Sequence, residues 1–343
     1  MKPATTEDVL ALMDGGYTAA ALGAALELGL FWRLADGSRP AADLARELGI
    51  PERRCGYWLD VLREMGLLDE GPGGYAPTPA ARAAILEVWD RDAWAFLAAQ
   101  ARLHLPAVAD LPARLSDPCS AWEAQGLTPP DYLAAMVDDA EQARAFTRML
   151  WRVHEPLAED LAASLDLAGA RRLMDLGGGS GVMSMALVRR HPDLAAMVVD
   201  LPTVCAAGRE IVAGEGLADR VSFHVADFTN DELPAGFDVI LMCDVSLHVT
   251  DLSKGLRGSL APGGRLVIVD KVAPAPGRAM PGRLIWAFRS SMHRPDARPP
   301  TRDDILGRLA EAGLELLADC PLPAATGARP RFAAGWHVFE TRP

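Results

Sequence analysis

The residues best suited to chemistry lie in the second half of this chain. Asp175-Leu176-Gly177-Gly178-Gly179-Ser180-Gly181 is a glycine-rich run placed straight after a strand-like segment and opening a helix-like one. Glycines at 177, 179 and 181 let a backbone turn tightly and approach a ligand with no Cβ in the way. Taken alone, such a loop serves dinucleotides, nucleotides and other cofactors alike. Three carboxylates narrow the choice. Asp200, ending the next strand-like run, is placed to accept hydrogen bonds from ribose hydroxyls. Asp227-Phe228 ends the third run and offers a carboxylate for an exocyclic amine and a ring beside a purine. Asp175 precedes the loop, where its charge would repel a pyrophosphate and suit an amino group. No Gly-Lys-Ser/Thr sequence is present, which excludes the phosphate-cradling P-loop. An adenosine carrying a cationic, amino-acid-like tail fits better than a dinucleotide. The cofactor expected is therefore S-adenosylmethionine.

A second group follows the fourth strand-like run, in Asp244-Val245-Ser246-Leu247-His248. A side chain that titrates near neutrality, just past a strand's carboxyl end, stands where doubly wound sheets place their chemistry. His248 could take the proton of a phenol as its oxygen attacks a methyl carbon.

The elements that must hold these residues alternate. RRLMDLG, AAMVVDL, VSFHVAD, FDVILMCD and GRLVIVDK are short apolar runs, each ending in or near an aspartate and separated by helical segments. That alternation predicts a parallel sheet with helices on both faces. LELLADCPL and FAAGWHVFET add two strands, the last antiparallel at the sheet's far side. Residues 101–165 read as a helical segment lining a pocket, and 166–343 as the cofactor-binding domain. Residues 1–100 read as helices followed by a short glycine-turned hairpin, the outline of a winged helix. A DNA reader of that shape needs a basic face, yet between Thr18 and Pro79 nine acidic side chains outnumber six basic ones. A dimerisation or lid module is expected instead. The apolar excess in YTAAALGAALELGLFW implies a homodimer.

Composition agrees. A net charge of −12 argues against a nucleic-acid partner, and no apolar run approaches the ~20 residues of a membrane span. The N-terminal MKPATTEDVL has neither the basic start nor the apolar core of a signal peptide, so a cytoplasmic location is expected. The five cysteines (Cys55, Cys119, Cys205, Cys243, Cys320) form no CxxC pair, which argues against a disulfide framework or a thiolate zinc site.

The run LMDLGGGSG…VVDLP…VSFHVADF…LH…LAPGGRLVIVD resembles the class I methyltransferases, in particular the plant-caffeate-type and bacterial antibiotic-tailoring O-methyltransferases. LGLFWRLADG and LARELGI resemble that family's dimerisation domain. The resemblance implies a Rossmann-like seven-stranded α/β methyltransferase domain behind an N-terminal all-helical, winged-helix-like dimerisation domain. It implies S-adenosylmethionine held by Asp175, Gly177, Gly179, Asp200, Leu201, Asp227 and Phe228, and a small-molecule hydroxyl as acceptor. His248 matches the family's general base and Asp270 the acidic residue that orients it. Met136, Trp286, Phe288, Met292 and His293 fall where acceptor-pocket walls are expected.

Two departures stand out. The Asp-Trp that usually follows the base is absent, and the second acidic position of the family falls on Pro299. One branch of relatives instead methylates α-keto acids on carbon with a metal held by two histidines. In this chain His248, His293 and Asp244 could supply such a divalent or ferric site. A third alternative is a non-enzymatic or repurposed protein on the same fold.

Overall fold

The computed structural model describes residues 3–127, 136–245, 253–273, 283–295, 300–323 and 335–343. They form two compact units, Met1–Asp110 and Leu111–Pro343.

The first unit opens with α1 (Thr6–Met13), started by a reciprocal capping box between Thr5 and Asp8. The single long helix suggested by YTAAALGAALELGLFWRLAD is two: α2 (Gly15–Glu27) and the one-turn α3 (Leu30–Arg33). The break is at Gly29, whose φ of 68° is left-handed and ends a helix at little cost only for glycine. α4 (Ala41–Leu48) and α5 (Glu52–Glu64) follow, then the hairpin β1 (Leu68–Gly71) and β2 (Gly74–Pro77), and α6 (Arg91–Leu103). Leu30, Phe31, Leu44, Leu59, Leu62 and Leu68 form the core of this unit. α1 buries none of its residues; Leu10, Leu12 and Met13 are 55%, 57% and 74% exposed, with Tyr17 of α2 beside them in sequence at 81%. A capped helix with an apolar face and no buried residue lacks its covering surface. Among the described residues, no single helix is long and apolar enough to cross a membrane.

In the second unit, after short helical turns at Leu111–Arg114 and Glu123–Gln125, comes the long helix α7 (Ala140–Ser164), capped by Asp139. The sheet comprises β3 (Arg172–Leu176), β4 (Ala195–Asp200), β5 (Val221–Val225), β6 (Phe237–Cys243), β7 (Leu260–Lys271), β8 (Glu315–Pro321) and β9 (Trp336–Arg342). Helices α8 (Val182–Arg190), α9 (Pro202–Gly214), α10 (Ser253–Ser259), α11 (Arg283–His293) and α12 (Arg302–Glu311) connect them. The strand order is β5-β4-β3-β6-β7-β9-β8. The first five strands are parallel, as their uninterrupted apolar runs required, because helices cover both faces. β9 is antiparallel but does not lie at the margin: it inserts between β7 and β8, leaving β8 as the edge. Its burial pattern supplies the reason, since Trp336, Val338 and Phe339 are buried whereas β8 is exposed along most of its length. Two cores result, one around Val198, Val239 and Val267, the other around Met174, Ile268 and Phe339.

Candidate active site

The chain leaves β3 for β4 on one side of the sheet and reaches β6 on the other, so β3 and β6 flank the crevice where an open α/β sheet binds its ligand. The glycine loop hangs over that crevice. Gly177, at φ 68°, has its N–H bonded to the Val199 carbonyl at 2.8 Å. A Cβ on it would stand 3.0 Å from Val245 and 3.3 Å from the Phe228 ring, so glycine there lets both sides close in. Gly179, at φ 57°, faces open space instead: a Cβ would meet nothing within 4 Å. The two carboxylate oxygens of Asp200 accept from Gly179 N–H at 2.9 Å and Leu201 N–H at 2.8 Å, fixing the loop against the end of β4. Burial raises the Asp200 carboxyl pKa, and these two backbone donors pull it back.

Asp175 is fully buried beneath the loop. One oxygen accepts from Ser184 Oγ at 2.8 Å; the other, Oδ1, has no hydrogen-bond partner. Its pKa is pushed up to about 6, chiefly by burial and further by the Asp200 charge, while Ser184 opposes. An orphaned buried carboxylate oxygen beneath an open glycine loop fits an ammonium group, and with Asp200 on the ribose side the residues present fit S-adenosylmethionine. A raised folded-state pKa means the folded protein holds this proton more tightly than the unfolded chain. Stability therefore falls as pH rises from about 4 to about 6, by an amount on the order of 3 kcal/mol. Asp175→Asn is expected to melt higher than wild type at pH 7.5 yet bind the donor more weakly. Donor affinity of the wild type should decline below about pH 6, where Asp175 takes its proton, and calorimetry of both proteins at pH 5.5 and 7.5 checks this.

Asp227 is turned into its own loop, where its carboxylate accepts from Thr229 N–H at 3.0 Å, Thr229 Oγ at 2.6 Å and Asn230 Nδ2 at 2.7 Å. Phe228 reaches the crevice, as its approach to Gly177 shows. Asp244, just past β6, adopts φ 61° and pairs with Lys271 at 3.4 Å. Asp270, on β7, is buried, one oxygen accepting from Lys271 N–H at 2.6 Å. The half-buried Cys243 thiol feels all three carboxylates: desolvation raises its pKa, and Asp244, Asp175 and Asp270 raise it further. Asp175, Asp244 and Asp270 thus all lie near this thiol, at or just past the ends of β3, β6 and β7.

His248 and Pro299 lie outside the described residues. Among the described residues, no group of three His, Cys, Asp or Glu side chains is arranged to hold a metal. His293 stacks on Trp122, ring centroids 4.1 Å apart, and its pKa is lowered by burial and by Arg289 and Arg294. Met292 bonds Ala121 N–H through its carbonyl and, with Phe288, Ser291, Arg114, Asp117 and Cys119, lines a cleft. Trp286 is on the same helix, its side chain outside the described set. Met136 is not in that cleft. It is buried against Val204 and Leu201, its carbonyl accepting from Thr203 Oγ at the start of α9.

One residue was not anticipated. His154, on α7, is half-buried with its ring edge-on to Trp336 at 6.3 Å. Its pKa is driven down to about 4 by burial, with Lys271 adding to the effect and Asp244 opposing it. The available signal was helical spacing: His154 lies on the stripe formed by Trp151, Ala158 and Leu161, where an apolar residue is the rule.

The sheet order, the glycine loop and the carboxylate at the end of its second strand define an S-adenosylmethionine-dependent class I methyltransferase. Residues 114–314 match the O-methyltransferase domain and residues 10–86 the O-methyltransferase dimerisation domain, so the chain belongs to the O-methyltransferase family. It is 33% identical over 265 residues to the 3-hydroxy-5-methyl-1-naphthoate 3-O-methyltransferase of Streptomyces sahachiroi, covering 76% of this chain and 75% of that one. It is 28% identical to the N,N-dimethyltransferase OxyT of Streptomyces rimosus, over 91% of this chain and 92% of the relative. Among solved structures, the mitomycin 7-O-methyltransferase MmcR superposes with a TM-score of 0.82 at 23% identity, over 98% of this chain and 97% of that one. PigF with SAH superposes with a TM-score of 0.83 at 20% identity, over 99% and 100%. At these identities the superpositions speak for the fold.

Proposed function

We propose that this protein transfers the methyl group of S-adenosylmethionine to a hydroxyl of a small aromatic natural-product acceptor, with His248 as general base and Asp270 as the carboxylate that orients it. The observation that carries the reading is the Asp200-clamped glycine loop at the β3–β6 crevice, with Asp270 at the end of the adjoining strand β7. The donor, when bound, supplies an electrophilic methyl carbon on a sulfonium. The chain's own residues do the rest. Asp200 and Gly179 fix the ribose side, Asp175 faces the amino group, and Phe228 walls the crevice. His248 accepts the hydroxyl proton as the oxygen attacks, and Asp270 stabilises the imidazolium that forms. The naphthoate O-methyltransferase among the relatives supports a phenolic acceptor. Because OxyT is an N,N-dimethyltransferase, the test must separate the acceptor atoms. With methyl-labelled donor and a panel of hydroxynaphthoates, other phenols and arylamines, methyl ethers are the expected products; methylation confined to nitrogen or carbon would sink the hydroxyl assignment.

The reading includes a cytoplasmic homodimer formed through the winged-helix-like segment 1–100, with 101–165 lining the acceptor pocket. The match of residues 10–86 to a dimerisation domain and the uncovered apolar face of α1 support it. Light scattering at micromolar concentration should give twice the 36.6 kDa chain mass, and Leu10→Glu with Met13→Glu should halve it. A monomeric wild type would refute the assembly.

A further inference from the structure

The placement of β9 between β7 and β8 creates a polar chain that the proposed chemistry does not yet use. His337 lies directly across from Asp270 on β7 and from Pro321 on β8. Opposed residues of an antiparallel pair share a face, with Cβ atoms about 5 Å apart, and the diagonal neighbour is within reach of a long side chain. Asp319 is that diagonal neighbour, two positions from Pro321, and its carboxylate engages His337 Nε2. The other oxygen of Asp319 is gripped by Arg302, the first residue of α12. Asp319 and His337 are only 8% and 12% exposed, and the Phe339 ring lies 4.9 Å from the imidazole. Arg302 opens α12, and Pro300, two residues before it, stays beside the end of β7 because Ala273 N–H bonds the Pro300 carbonyl at 2.7 Å.

We propose that Arg302, Asp319 and His337 form a positioning chain that walls in the Asp270 carboxylate and compensates for the acid missing at Pro299. The proposal rests on the reading of Asp270 as the partner of the base His248. A carboxylate orients an imidazole only if its own rotamer is fixed, and groups behind a catalytic pair commonly do that fixing. Here the carboxylate of Asp319 holds the His337 ring at Nε2, Arg302 holds Asp319, and the ladder register sets the ring opposite Asp270. The chain is built on β9, β8 and α12, none of which carries the glycine loop or Asp200, so it can be cut without touching the donor site.

Asp319→Asn keeps the volume and removes the charge; His337→Leu removes the ring nitrogens, and His337→Gln restores an amide that can bond Asp319. With a hydroxynaphthoate acceptor, Asp319→Asn and His337→Leu are expected to lose about 10- to 100-fold in kcat. Acceptor KM, donor affinity and melting temperature should stay near wild type, and His337→Gln should recover part of the loss. If His337→Leu melts early, the isosteric Asp319→Asn decides. Wild-type kcat in the folded variants overturns the proposal, as does a loss carried wholly by KM or donor affinity. His248→Gln, measured alongside, separates the two layers. Full turnover in that variant means the base reading has failed; its collapse beside an intact Asp319→Asn removes only the positioning chain.

Discussion

His248→Gln is expected to lower turnover by about 10²–10⁴-fold, the range for loss of a positioned general base, while leaving donor affinity unchanged. Glutamine keeps the polarity and approximate reach of the imidazole but cannot accept a proton at neutral pH. The donor should not notice, because the contacts proposed for it come from the glycine loop, Asp175 and Asp200 at the ends of β3 and β4. The alternative assignment of His248 and His293 to a metal predicts a different pattern: His293→Ala as damaging as His248→Ala, and activity removed by chelator and restored by a divalent ion. The stacking of His293 on Trp122 accounts for that residue without a metal, so His293→Ala is expected to disturb the cleft and acceptor KM more than kcat. Single-turnover rates and calorimetric donor titrations on the same preparations distinguish the outcomes.

The second large effect is at Asp200. Its carboxylate holds two backbone N–H groups, Gly179 and Leu201, and is the group proposed to accept from the ribose hydroxyls. Asp200→Ala removes the ligand's charge-assisted hydrogen bonds, each contributing about 1.5–3 kcal/mol, which alone corresponds to about 10- to 150-fold in donor affinity. It also releases the loop, so the loss should exceed that of Asp200→Asn, which keeps one acceptor oxygen. Gly179→Leu reaches the same end by another route, forcing a branched side chain into φ 57° and into the open space the loop faces. Unchanged donor affinity in Asp200→Ala and Gly179→Leu together would remove the central claim about this site.

What could be read in advance followed the range of the forces involved. The glycine loop, Asp200 and the five parallel strands are local signals: an apolar run, a turn and a helix start lie within a few residues of one another. The interior position of β9 was not legible, because it depends on which apolar faces remain uncovered after β7 has formed. For the same reason the Arg302–Asp319–His337 chain was invisible, since it exists only in that strand order and register. His154 escaped notice because its neighbours Asp244 and Lys271 come from strands distant in sequence. Asp227 was legible as a position but not as a partner, since Thr229 and Asn230 claim its carboxylate through a short-range turn.

The carboxylates of Asp175, Asp244 and Asp270 near the Cys243 thiol have a consequence for the end of the proposed catalytic cycle. The incoming donor carries a positive sulfonium; the spent donor carries a neutral thioether. Acidic side chains at three strand ends therefore favour the ligand while its sulfur is charged and favour it less once that charge has gone, with no moving part. Discharge itself becomes the release signal, and the enzyme should be inhibited by its own by-product less than a neutral cavity of the same shape would be. That discrimination should survive mild acid: Asp175 is assigned to the amino group, which donor and by-product share, so its protonation below about pH 6 is expected to weaken both alike and leave their ratio unchanged.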